Sequence, residues 1–235
     1  MITYSPVTNI FYIEDEAYVS RNQVDKMLKT PHKDMFRVKI KSCDCVNKDA
    51  FSDIRNITAV FFDNVEAIDE NAFRGCKNLL SATFEKVIHI SAKAFMHTGL
   101  QEILLPKSLN YIGIDAFACT ELKSVSFENN EADPRLFINS RAFADIKYMK
   151  EFKMPRQLKM LGNKVFERTE IDQLSVDTGI NFNAITGLYG AFTDANIHTL
   201  ALCKGLSVMM DEYTVPDEKM LIEILKESFD ISELF

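Results

Sequence analysis

Histidine, cysteine and carboxylate clusters are where a sequence carries metal, thiol or acid–base chemistry. This 235-residue sequence offers four histidines (His32, His89, His97, His198) and five cysteines (Cys43, Cys45, Cys76, Cys119, Cys203). It also has carboxylate groups such as Glu14, Asp15 and Glu16, or Glu128 and Glu131. Their spacing supports none of those chemistries. Cys43 and Cys45 have no second Cys or His pair at zinc spacing. The eight glycines are scattered and build no phosphate-cradling loop. The carboxylate groups read as solvated surface. The expectation is a chain with no catalytic, metal or cofactor site, and so not an enzyme.

The elements that position these residues emerge from a repeat. A small residue followed by Phe recurs at Ala50-Phe51, Ala72-Phe73, Ala94-Phe95, Ala116-Phe117, Ala142-Phe143, Val165-Phe166 and Ala191-Phe192, at intervals of 22, 22, 22, 26, 23 and 26 residues. The histidines therefore fall in different units or on different sides of one. His97 is read as occupying the turn slot that Cys76 and Cys119 fill in neighbouring units. The 18 Phe and absent Trp fit one ring reused at one structural position.

Five or six residues after each Phe comes an apolar-x-x-apolar-x-apolar segment: 57–62, 79–84, 100–105, 122–127, 149–154, 171–176 and 197–202, with a further copy at 35–40. Most units add a spaced apolar pair, as at Val65/Ile68, Val87/Ile90 and Leu109/Ile112. A period of this length means a solenoid, in which each coil buries its apolar face only against its neighbours. The segments become short strands with first, fourth and sixth residues inward. Stacked, about eight such strands make a parallel sheet roughly 34 Å long at ~4.8 Å per strand. Ala lets adjacent corners approach, and Phe drops its ring inward to form a ladder.

Units of the form I-x-x-x-A-F-x-x-C-x-x-L-x-x-V-x-F/L-P, seen at 68–84, 90–106, 112–127 and 161–176, resemble the BspA-like (Treponema-type) leucine-rich repeats. The resemblance covers roughly residues 35–203. It implies an α/β-type repeat solenoid, a right-handed superhelix whose return side is mostly irregular or short-helical, used for binding macromolecules. Members of that family are often secreted or surface-attached adhesins.

The strand phase lists the outward side chains. Phe36, Phe61, Leu80 and Leu104 are expected to project from the first four strands, either as apolar anchors for a partner or as a surface that the N-terminal cap folds over. Arg37, Lys39, Glu102, Lys123, Lys150 and Lys153 give the same face a mixed charge suited to polar specificity. Two longer units, with extra residues at 129–140 and 178–190, add loops.

At the ends, residues 1–34 are expected to cap the solenoid with a degenerate coil at 13–18 and a short helix opened by a Ser20/Gln23 capping box. The solenoid proper runs over 35–205, and 206–235 closes it with a helix whose Met220, Leu221, Ile224, Leu225 and Phe229 share one face. That helix is also the candidate homodimer contact. The net charge of −7 argues against a phosphate-neutralising nucleic-acid binder, and no nucleic-acid partner is expected. No apolar run approaches the ~20 residues that span a bilayer. The odd cysteine count and the lack of a secretory n- and h-region point to a reducing, cytoplasmic setting. The function expected is a protein-binding scaffold, with a small cytosolic inhibitor or decoy, a homo-oligomeric structural protein and a surface adhesin as alternatives.

Overall fold

Short strands with three inward side chains cannot satisfy their own backbone, so each must pair with the coils before and after it. The computed structural model describes residues 1–128, 135–176, 180, 182–202, 206–209 and 223. In it, Ile10–Glu14, Phe36–Lys41, Ile57–Asp63 and Ser81–Phe84 stack in parallel, and Ile2–Ser5 adds to the first of them antiparallel, giving a five-stranded sheet. Glu102–Leu105, Ser124–Phe127, Met149–Lys153, Glu170–Val176 and Asn196–Leu202 continue the parallel row, and Leu206–Met209 joins it antiparallel, giving a six-stranded sheet. The row divides into these two sheets where Ser81–Phe84 packs beside Glu102–Leu105.

The return side is a second strand row rather than irregular or helical. Tyr18–Val19, Cys45–Val46, Ala67–Ile68, His89–Ile90, Tyr111–Ile112, Leu136–Ile138 and Leu158–Leu161 form a seven-stranded parallel sheet. The spaced apolar pairs explain it: Val65/Ile68, Val87/Ile90 and Leu109/Ile112 are all fully buried. The residue before each isoleucine points out, so two residues suffice to make a strand with one inward and one outward side chain. The architecture is therefore a parallel β-solenoid with few helices, not an α/β repeat.

The Ala-Phe corners carry a third set of bonds between coils. Phe73 N–H donates to Ala94 O at 2.8 Å, and Phe95 N–H to Ala116 O at 2.8 Å. Each corner turns through two left-handed residues, Asn71 and Gly75, then Lys93 and His97, then Asp115 and Cys119, with φ between 54° and 75°. His97 therefore shares its slot with Cys119 and Gly75. Cys76 sits one residue further on, level with buried Thr98 and Thr120, which corrects the slot assigned from sequence.

The rings form the expected ladder. Phe51, Phe73, Phe95, Phe117, Phe143, Phe166 and Phe192 stack face to face with centroids 4.8–6.1 Å apart. Phe62 and Phe84 from one strand row meet Phe95 edge-on, and Phe152 meets Phe143 and Phe166 likewise. Stacked and edge-to-face rings each add about 0.5–1.5 kcal/mol beyond the area they bury. The ladder thus fixes the rise per coil as well as filling the interior.

Residues 1–34 join the same pattern, since Ile10–Glu14 and Tyr18–Val19 pair into the two strand rows. Helix Arg21–Leu28 then stands where an Ala-Phe corner would be, with Val24 and Met27 buried. Gln23 Oε1 accepts the Ser20 N–H at 2.7 Å, as the capping box requires. The helix expected at 206–235, and the dimer contact assigned to it, lie outside the described residues, apart from the strand Leu206–Met209 and the helical Glu223.

Candidate interaction face

Past the opening residues of each longer strand, side chains alternate between the interior and the outside, and pairing between coils lines the outward ones into rows. One row runs Arg37, Ala59, Ser81, and beyond the division Glu102, Ser124, Glu151, Gln173, Thr199. The next runs Lys39, Phe61, Thr83, then Leu104 and Ser126, with Lys153, Ser175 and Ala201 continuing it. Ladder bonds hold these strands on both sides, or on one side for Ser81–Phe84 and Glu102–Leu105 at the division, so the side chains stand on an ordered backing.

Phe36 is not on this face. It is fully buried, edge-on to Phe11 and His32 at 5.1 and 5.0 Å. The cause is a register shift. Phe36 lies opposite Ile57, but Arg37 already lies opposite Ala59, so this strand has one outward residue where its neighbour has two. Phe36 therefore takes the inward place that Ile57 holds next door, and Met35 is left exposed.

The remaining residues stand where expected. Leu80 and Leu104 are 50% and 53% exposed. Phe61 is half-buried, and Glu102, Lys123 and Lys150 are exposed. The Arg37 guanidinium is tied down by Thr8 O. Lys153 lies 3.7 Å from Glu151, whose carboxylate also accepts from Ser175 Oγ at 2.8 Å. Lys39 pairs with Asp63 at 3.5 Å.

Two features were missed from sequence. The first is a row of acids just beyond the Phe61 row: Asp63, Glu85 and Glu128 each follow the last inward Phe of their unit, a signal present in Phe62-Asp63, Phe84-Glu85 and Phe127-Glu128. Together with Phe61 and Thr83 they edge an open groove of about 460 Å³. Hydrogen bonding with Glu85, then with Lys39, holds the Asp63 carboxyl below its ordinary range. The second is an outward row on the return sheet, Tyr18, Cys45, Ala67, His89, Tyr111, Phe137 and Met160. In it His89 stacks on Tyr111 at 4.1 Å with planes 6° apart.

The geometry offers binding surface and little chemistry. Among the described residues no group of three or more His, Cys, Asp or Glu side chains is arranged to hold a metal ion. Burial pushes the Cys45 and Cys76 thiols up to about 12, which removes the thiolate a nucleophile needs. His198 contacts Glu170 at 3.1 Å on the surface. A group of two arginines and a lysine, Arg141, Arg168 and Lys164, is matched by Asp115, Asp145, Glu167 and Asp194 along the corners. It reads as a charge-balanced brace between coils. Among the described residues no helix is long and apolar enough to cross a membrane.

Fold and repeat together define a solenoid repeat protein whose outward side chains stand in rows. The family model of the BspA type leucine rich repeat region matches in six copies, over residues 44–170 and 135–213, and the chain belongs to that family. No curated protein matches it. Among solved structures it is similar to a leucine-rich repeat protein of Eubacterium ventriosum, at 12% identity and TM-score 0.44, over 86% of this chain and 70% of that one. It is also similar to a leucine rich cell surface protein of Faecalibacterium prausnitzii (12%, TM-score 0.32, 86% and 92% covered). A third is a leucine-rich repeat protein of Bacteroides ovatus (14%, TM-score 0.31, 88% and 76% covered).

Proposed function

We propose that this chain is a non-catalytic interaction scaffold that holds a protein partner on the outward face of its longer strands. The observation that carries the reading is the pair Leu80 and Leu104, half exposed on a ladder-held face whose other residues are mostly polar. Nothing in the coil's packing calls for apolar side chains there, and exposed apolar residues within a polar surround mark protein contacts. Membership of a repeat family of interaction and surface scaffolds supports the same reading. Rigid rows reduce the ordering cost of binding on this side of the contact.

The test is affinity capture from the source cells by the wild type and by a Leu80→Ser/Leu104→Ser variant. The variant is expected to keep the wild-type unfolding midpoint and to hold the captured protein at least ~10-fold more weakly, the scale of losing one or two apolar anchors. Equal retention by both proteins removes this face as the interface.

A further inference from the structure

The apolar and acidic rows run side by side across the coils, and together they describe what would lie on them. Phe61 pairs with Thr83 in one row, and Leu104 stands at the corresponding position of the next coil, across the division between the two sheets. Two residues further along the strands, on the same side, stand Asp63, Glu85 and Glu128. Glu85 and Glu128 are fixed by backbone bonds to Phe62 O and Leu105 O at 3.2 and 2.8 Å. The groove between these rows takes three carboxylates and one lysine, Lys39, in its lining. Lys39 pairs with Asp63 at 3.5 Å and Glu128 accepts the Lys107 N–H at 3.1 Å, so among the described residues lining the groove three acidic side chains stand with one basic one.

The spacing selects the occupant further. Two coil steps separate Phe61 from Leu104, and the rings at the corners that follow these strands, Phe73, Phe95 and Phe117, are 5.4 Å apart at each step, so two steps come to about 11 Å. Side chains seven apart on a helix share a face and lie about 10.5 Å apart. On an extended chain, same-face side chains recur at about 6.6 Å and then 13 Å, which matches neither one nor two coils.

Resting on the scaffold reading above, we infer that this groove receives a basic amphipathic helix of the partner, its apolar side chains on Phe61 in the groove and on Leu104 in the coil beyond it, and its Lys or Arg side chains along Asp63, Glu85 and Glu128. Charge complementarity carries the choice of a cationic partner, and the row spacing carries the choice of a helix.

A synthetic helical peptide with leucines at heptad spacing and lysines along one flank is the probe, compared with a scrambled peptide of the same composition and with a version carrying Glu for Lys. Titration is expected to give binding to the ordered basic peptide alone, weakening with salt. An Asp63→Asn/Glu85→Gln/Glu128→Gln protein should lose at least ~10-fold in affinity, the scale of three exposed ion pairs. Leu104→Ser should also weaken it, while a Glu66→Gln/Glu121→Gln control away from the groove should stay within about twofold. Equal binding of the scrambled peptide, retention by the triple variant, or no binding of the basic peptide overturns the inference. In each of those cases a captured protein that is lost on changing Leu80 and Leu104 leaves the scaffold reading standing.

Discussion

The rings of Phe95 and Phe117 lie face to face with centroids 5.4 Å apart and planes 3° from parallel. Phe95 also stacks on Phe73 at 5.4 Å and takes Phe62 and Phe84 on its edge, so it belongs to four ring pairs. Removing it opens a cavity that neighbouring coils cannot close without breaking their corner bonds. Phe95→Ala is therefore expected to cost about 3–5 kcal/mol in a denaturant titration. A loss below about 1 kcal/mol would show that the ladder is not what sets the stability of the stack.

The two aromatic residues first expected to anchor a partner should now separate cleanly. Phe36 is fully buried against Phe11, and Phe36→Ser is expected to lower stability by about 3 kcal/mol or more. Phe61 is half-buried in the outward row, and Phe61→Ser is expected to change stability by about 1 kcal/mol or less. Equal unfolding midpoints for the two variants would contradict the register shift at Phe36.

That pair also shows what was legible in the sequence. The period gave the coil, the ring ladder and the outward rows from Arg37 to Thr199, because burial repeats whenever the coil does. Phe36 escaped because Met35 supplies an apolar residue at the expected first position, while the missing outward residue moves Phe36 alone into the inward place and leaves the rest of the strand in register. The return sheet escaped because two-residue strands show no alternation to read; only the buried member of each pair is apolar by necessity. The acid row was visible after each terminal Phe, yet acquires meaning only when the coils bring Asp63, Glu85 and Glu128 to one groove.

Cys76 donates its thiol to Phe51 O at 3.1 Å, in the place where Thr169 donates to Phe143 O at 2.8 Å. Thr98 and Thr120, level with it, donate to the Phe carbonyl of their own corner at 2.9 Å. The position thus accepts a small donor of either kind, and Cys76→Thr is expected to stay within about 1 kcal/mol of wild type. Thr98→Val, which leaves the Phe95 carbonyl without that donor, should cost about 1 kcal/mol. In the native protein Cys76 should resist a thiol reagent at pH 8, since its thiol is pushed up to about 12 by burial. Rapid native labelling of Cys76 would refute this placement.

His89 supplies the pH dependence. Burial of the ring, stacked 4.1 Å from Tyr111, lowers its pKa below the usual 6.5, with Asp69 opposing the shift in part. Above 6.5 the imidazole is neutral in both folded and unfolded chains, and its contribution is complete. Between 6.5 and the lowered folded value, the unfolded chain holds the proton and the folded one does not, so this contribution falls as pH falls. Across pH 5–7, wild type should therefore lose stability on acidification more steeply than His89→Gln. An NMR titration should place the His89 midpoint below 6.5, and Tyr111→Ala, by opening the ring to water, should move it upward. A midpoint at or above 6.5 in the wild type would mean that the imidazole is solvated and that the stacked pair does not shield it.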